Sequence, residues 1–395
     1  MKKSIQNVKN QIENSFQLEN CIILNKIIFL PLQHLFIIIP FMRILKYLLL
    51  LIILVAIAIT VYISTSDGTF SVKKDYTVSL PKSTLFHYVN DYQNWEEWLE
   101  LSEKEAPSKF TTKHDFVGVG SSLTFSNGKE HGMLKTLSVK ENDSIVQKTE
   151  WNGIEANSTF IFSEKSNKTI ISWECKGKMN FSEKIQSYFM GGIDHYLNQL
   201  FDKSLKKLEE KLSKEINTYS IEINGIEKIT KSIYLKSEKF ANKDEIFSKV
   251  VAQLMELKKF SSENNIKTTG VPFIAYKPLD KVNTIIKYYV GIPLKEEIYT
   301  SAGSEYTVDS LPTHSALKIT LKGDYSHRKE AWNKGFSYIR KNNLDEYTEG
   351  IYREVFVKTR TESKFPSQWI TEIYIPLRST GAGIKADYIK PETEQ

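Results

Sequence analysis

Side chains able to do covalent or metal chemistry are few in this 395-residue chain, and they are scattered. Only two cysteines occur, Cys21 and Cys175, too few for a disulfide framework or a thiolate metal site. Among the seven histidines, His131 and His195 lack partners at ligand spacing, and neither a His-x-x-x-His pair nor a Gly-x-Ser-x-Gly elbow occurs. The glycines do not gather into a phosphate-cradling loop. No catalytic residue, metal site or cofactor is therefore assigned, and His327 beside Arg328 reads as a helix-surface pair facing water. What the chain has in quantity is rings: 20 tyrosines, 21 phenylalanines and 6 tryptophans. An acid held among rings and out of water is costly until a cation enters. Each well-placed ring then adds about 0.5–2 kcal/mol of cation–π attraction.

The elements that position such rings recur. Ile233 opens a strand-like run, a helical run follows over 244–260, and a strand closes at Gly291-Ile292-Pro293-Leu294. Ala316 opens a second strand-like run, a helical run follows over 327–340, and a strand closes at Tyr374-Ile375-Pro376-Leu377. The strand starts and the closing prolines are each 83 residues apart. Equal offsets at both ends indicate a duplicated strand-helix-strand-strand unit, whose two copies bury their sheets and helices together. The runs 271–276 and 351–357, after Gly270 and Gly350, are expected to line the seam.

Thr269-Gly270-Val271-Pro272, Tyr289-Val290-Gly291-Ile292-Pro293-Leu294, Leu321-Lys322-Gly323-Asp324-Tyr325, Tyr352-Arg353-Glu354-Val355-Phe356 and Thr371-Glu372-Ile373-Tyr374-Ile375-Pro376-Leu377 make 219–378 resemble the GyrI-like family of bacterial effector-binding domains. The resemblance implies binding of small hydrophobic or cationic, often aromatic, ligands at the junction of the repeats, on a buried glutamate. Glu354 matches that glutamate, with Tyr276, Tyr288, Trp332, Tyr352, Phe356 and Tyr374 as its walls. Some relatives are hydrolases in which a pocket glutamate activates water, so Glu354 as general base is the alternative. A third reading is an envelope interaction or stress-response module.

Upstream, 70–80 alternates as a strand, Pro81 can start a helix over 84–92, and Asn94-Trp95-Glu96-Glu97-Trp98 follows. Strands are expected over 121–125, 130–140, 145–151, 156–163 and 169–175. A long amphipathic helix then presents Ile193, Tyr196, Leu197, Leu200, Phe201, Leu205, Leu208 and Leu212 on one face. With Gly118-Val119-Gly120, Trp95, Trp98 and the stretch 169–173, this resembles the START-like superfamily, in its SRPBCC or polyketide cyclase group, over 70–216. That resemblance implies a helix-grip cup for hydrophobic ligands and no particular activity. Trp95 and Trp98 read as packing anchors; Trp151 and Trp173 face either cavity or core.

Residues 47–63 form an apolar run of 17 whose most polar member is Thr60, preceded by Arg43 and Lys46. That is the lower edge of bilayer-spanning length, and no small-residue cleavage pattern follows, so 42–66 reads as an uncleaved signal anchor and the protein as single-pass. Arg43 and Lys46 favour exported, periplasmic-side domains. Lys73 and Lys74 weaken that asymmetry, and a second crossing through 27–41 would reverse it, so the orientation stays open. Residues 1–41 read as a leader before a true start at Met42, and 379–395 as a tail. The fold class is α+β: an anchor helix, a START-like domain and a duplicated GyrI-like domain. Net charge +6 and pI 8.8 come from lysines interspersed with acids, and no helix-turn-helix segment precedes the duplicated unit, so no nucleic-acid partner is expected.

Overall fold

The computed structural model describes residues 7–11, 13–15, 44–101, 108–112, 116–128, 130–189, 191–242, 246–276, 285–301 and 303–378. Most of the leader, Cys21, Met42 and the tail lie outside the described residues. Helix α1, Ile44–Thr65, is 22 residues long and apolar enough to cross a membrane. It exceeds the apolar run by Ile44, Leu45 and Lys46 at its start and Ser64 and Thr65 at its end, and its polar hydroxyls close on its own backbone: Thr60 Oγ1 donates to Ala56 O at 2.8 Å and Thr65 Oγ1 to Val61 O at 2.9 Å.

The first antiparallel sheet contains β1 (Thr69–Val78), β2 (Lys109–Thr112), β3 (Ser122–Ser126), β4 (His131–Lys140), β5 (Ser144–Trp151), β6 (Ile154–Lys165) and β7 (Lys168–Lys178), in the order β1-β7-β6-β5-β4-β3-β2. Two of its hairpins follow from local chemistry. Asn152-Gly153 and Ser166-Asn167 all take positive φ, the geometry a two-residue turn needs to match the strand twist. Helices α2 (Lys82–Asn90) and α3 (Trp95–Trp98) follow β1, and α4 (Phe181–Phe189) and α5 (Ile193–Asn217) follow β7. Residues 180–187, most of α4, group with α1 in one compact unit. Helix α5 buries Tyr196, Leu197, Leu200, Phe201, Leu205, Leu208 and Leu212; Ile193, expected among them, is half-buried at the rim.

Between this sheet and α5 the space is occupied by rings. Trp173 stacks on Phe160 at 4.8 Å and on Phe201 at 4.2 Å, with the Trp95 and Trp98 rings 4.6 Å apart beside it. The Trp173 indole N–H is satisfied by Ser158 Oγ at 2.8 Å. Trp173 is thus a core residue, and Trp151 is half-buried against Phe125 and Tyr196. Trp173→Ala is expected to destabilise the chain by about 3–5 kcal/mol through lost contacts and a cavity. A denaturant midpoint unchanged in that variant would show the stack to be loose.

The second antiparallel sheet contains β8 (Ser220–Ile229), β9 (Ser232–Asn242), β10 (Phe273–Tyr276), β11 (Ile285–Pro293), β12 (Tyr306–Leu311), β13 (His314–Lys322), β14 (Tyr352–Lys358) and β15 (Ile370–Leu377), in the order β12-β9-β11-β10-β14-β15-β13-β8. Helices α6 (Ile246–Glu263) and α7 (Arg328–Lys341) complete two βαββ units. Exchanging β9, β11 and β10 for β13, β15 and β14 maps the inner six strands onto themselves, so a pseudo-twofold axis passes between β10 and β14. The recurring glycine and proline have one physical role in both units. Thr269 N donates to Pro293 O at 2.8 Å and Tyr347 N to Pro376 O at 2.9 Å. A Cβ on Gly270 would approach Pro293 Cγ to 3.4 Å, and one on Gly350 would approach Pro376 Cβ to 2.6 Å. Helix α5 runs to Asn217 and β8 begins at Ser220, where Ile221 and Ile223 pair along the edge of β13.

The loop after β14 docks on helices of the first sheet. Lys364 Nζ donates to Gln93 O at 3.0 Å, Ser367 Oγ to Glu215 Oε2 at 2.6 Å, and Arg360 Nη1 to His87 Nδ1 at 2.6 Å. With Nδ1 accepting, the His87 proton sits on Nε2, 3.2 Å from Glu141 Oε1. Burial first, and the Arg360 charge second, push the His87 pKa down to about 3. Above the unfolded value of about 6.5 the two states bind protons alike. As pH falls from there toward 3, the unfolded chain takes a proton that the fold refuses, and stability drops by about 1.4 kcal/mol per pH unit. Asp91 works oppositely: burial raises its pKa to about 6, so its protonation below that favours the fold. His87→Asn is therefore expected to gain thermal stability relative to wild type on moving from pH 6.5 to pH 4. Calorimetry across that range checks this, and parallel curves would contradict it.

Candidate functional site

The axis of the duplicated unit carries the one acid the sequence singles out. In the pairing of β10 with β14, Ile274 lies opposite Glu354, and Tyr276 opposite Tyr352. Directly paired residues share a face and alternate residues along a strand do too. Glu354, Ile274, Tyr276, Tyr352 and Phe356 therefore face the same way, and Tyr288 joins them from β11, whose Val290 pairs with Ile274.

Glu354 is 1% exposed, and its charge is already met. Arg328 Nε donates to Oε2 at 2.5 Å and Arg328 Nη2 to Oε1 at 2.6 Å, a two-armed guanidinium–carboxylate pair. Trp332 Nε1 donates to Oε1 at 2.6 Å. Arg328 and Trp332 are four residues apart on α7, hence on one helix face. The turn before them is set by Asp324, fully buried, whose Oδ1 accepts from Ser326 N at 2.9 Å. The same carboxylate accepts from Thr84 Oγ1 on α2 at 3.2 Å. That turn delivers Arg328 as the first residue of α7, aimed at β14 instead of solvent. The expectation that Arg328 faces water is corrected on this ground. His327 is half-buried as well: its ring stacks on Tyr219 at 3.5 Å, and Nε2 meets Ile216 O at 2.9 Å.

Burial alone would lower the Arg328 pKa; the Glu354 charge, Tyr276 and their hydrogen bonds outweigh it and hold the guanidinium above its ordinary value. Tyr276 Oη accepts from Arg328 Nη2 at 3.3 Å. Burial, then the Glu354 charge, push its phenol well up, so it stays a neutral hydroxyl.

The sequence-selected walls divide. Trp332 stands 6.4 Å from Tyr276 and 6.2 Å from Tyr352, ring to ring, and Phe356 meets Tyr325 edge-on at 5.8 Å. Tyr288 points its hydroxyl to Gln253 Oε1 of α6 at 2.7 Å, and Tyr352 donates to Glu346. Tyr374 is corrected: it pairs with Arg353, on the opposite sheet face. There the Arg353 guanidinium lies 4.9 Å from its ring centroid and 5.8 Å from that of Phe273. Arg328 and Gln253 escaped the sequence reading. The Arg328/Trp332 spacing was the available signal for the first, and Gln253 had none. Among the described residues no group of three or more His, Cys, Asp or Glu could hold a metal ion.

The arrangement is an ion pair of a buried carboxylate and a half-buried guanidinium, walled by rings, one face of which a flat or cationic molecule could replace. Residues 231–378 match the GyrI-like small molecule binding domain. Solved structures similar to the chain include the EcmrR C-terminal domain (TM-score 0.35, 13% identity, covering 41% of this chain and 99% of that one). Also similar are SAV2435 bound to tetraphenylphosphonium (0.30, 12%, 39% and 92%) and EcmrR in a DNA complex (0.36, 12%, 51% and 70%). No curated protein matches the sequence. The GyrI-like segment begins at β9, so β8, included in the expected span from 219, lies outside the match. The expectation of no nucleic-acid partner rests on the interspersed charge pattern and on the lack of a helix-turn-helix segment before the duplicated unit.

Proposed function

We propose that this is a membrane-anchored small-molecule binding protein whose GyrI-like segment takes a hydrophobic or aromatic cation on Glu354. The observation carrying this reading is the buried carboxylate with Arg328 and Trp332 as its donors and Tyr276, Tyr352 and Phe356 around it. In the absence of ligand, Arg328 supplies the positive charge. A ligand cation replaces it by pushing the guanidinium aside, while the Trp332 N–H keeps its bond. Helix α1 serves as the anchor, and Arg43 and Lys46 favour placing both sheets on the exported side. The START-like resemblance implies a second ligand cup in the first sheet, but the rings packed beside Trp173 occupy that space, so the sheet has a supporting role here.

Glu354 as the general base of a hydrolase is less favoured, since both oxygens already accept from N–H donors and a water would have to displace one. Native mass spectrometry of the purified chain, with thermal shifts against tetraphenylphosphonium for wild type and Trp332→Phe, tests the binding reading. A stabilisation that shrinks in the variant is expected. Equal shifts in both would move the site elsewhere. Ester turnover that vanishes in Glu354→Gln while affinity persists would instead establish the hydrolase.

A further inference from the structure

Helix α4 is turned inside out for a soluble protein. Its buried residue is Ser187, whereas Phe181 is 42%, Tyr188 62% and Phe189 89% exposed. At helical spacing Phe181, Ile185, Tyr188 and Phe189 fall in one arc about 100° wide, the width of an apolar stripe that ordinarily faces a core. The same helix is tied to α1. Lys184 Nζ donates to Ile63 O at 2.9 Å and to Ser66 O at 2.6 Å. It thereby satisfies carbonyls that the end of α1 leaves without intrahelical partners and places a cation at the negative end of the helix dipole.

The level of that tie is informative. From Ile44 to Ile63 the helix rises about 30 Å, the thickness of a bilayer's hydrocarbon core. Ile63 is the single buried residue of α1. Lys184 therefore marks the height at which the apolar span ends, the level at which aromatic side chains and lysine heads are most at home in a membrane. We propose that the Phe181/Ile185/Tyr188/Phe189 face of α4 is a lipid-contact surface, seated in the headgroup and upper acyl region where α1 leaves the bilayer. This rests on reading α1 as a span, and goes beyond it: the protein is held by a helix across the membrane and by a second one lying along it.

The test uses the full-length chain in phosphatidylcholine/phosphatidylglycerol vesicles, with Cys21→Ser as background and the buried Cys175 retained. A nitroxide is placed at Phe189→Cys, at Leu54→Cys in α1, or at Tyr299→Cys, a 97% exposed position between β11 and β12. Spin relaxation by oxygen, which partitions into lipid, is compared with relaxation by an aqueous nickel chelate. The expected result is loss of nickel relaxation at position 189 with oxygen relaxation retained, at a shallower depth than position 54, and full nickel relaxation at 299. Nickel relaxation at 189 equal to that at 299, with 54 protected, would overturn the lipid contact and leave the span standing. Protection of 189 from both reagents would overturn it in favour of a protein partner, and aqueous behaviour at 54 would overturn span and contact together.

Discussion

Glu354→Ala should cost the fold about 3–5 kcal/mol, because it leaves the half-buried Arg328 guanidinium with no counter-charge. Arg328→Met should cost a comparable amount by stranding the carboxylate on the Trp332 N–H alone. Removing both, as Glu354→Met with Arg328→Met, should return the chain to near wild-type stability, since apolar replacement of a whole buried pair is commonly neutral or better. A double-mutant cycle by thermal unfolding measures the coupling, at about 2–4 °C per kcal/mol for a domain of this size. Additive single effects would mean the pair is solvated and the site is not the closed ion pair described. This outcome is argued from position: 1% exposure at Glu354 separates it from the many surface pairs, such as Lys73 with Asp75, half or more exposed on both sides, which contribute little.

Arg328→Met should also raise the affinity for a lipophilic cation. In wild type the ligand must break two charge-assisted hydrogen bonds, at 2.5 and 2.6 Å, each worth about 1.5–3 kcal/mol. In the variant the carboxylate is already unpaired, and the ligand relieves its burial penalty instead of competing with a resident cation. A gain of tenfold or more is expected, since each factor of ten is about 1.4 kcal/mol. Because ligand binding to the folded state adds stability by mass action, saturating ligand should recover much of the stability that Arg328→Met loses.

The division between what the sequence disclosed and what it hid follows the range of the interactions involved. Alternation and turn chemistry are local, so β3 to β7 were readable, and the 83-residue offset exposed the duplicated unit. Strands β2, β8 and β12 and helix α4 were missed. The burial of β8 alternates between half-buried and exposed along its whole length, so it shows no core-facing run, and α4 has only nine residues, too few for its apolar stripe to stand out as a helix. The acid was legible; its partner was not. Arg328 sits at the start of a helix that looks amphipathic from sequence, and its burial depends on the Asp324 turn and on bringing β14, 26 residues away, under α7. Tyr374 was misplaced because the sequence fixes which residues alternate along β15 but not their register against β14. Opposite Arg353, it faces away from Glu354.

The most direct test of a ligand site with a built-in cation is calorimetric titration of tetraphenylphosphonium into the purified wild-type, Arg328→Met and Glu354→Met/Arg328→Met proteins. The account predicts weak binding to wild type, binding at least about tenfold tighter to Arg328→Met, and loss of that gain in the double variant, which has no carboxylate. Equal affinities across all three would contradict it, leaving the Glu354–Arg328 pair as a structural feature and the ligand, if any, in another part of the chain.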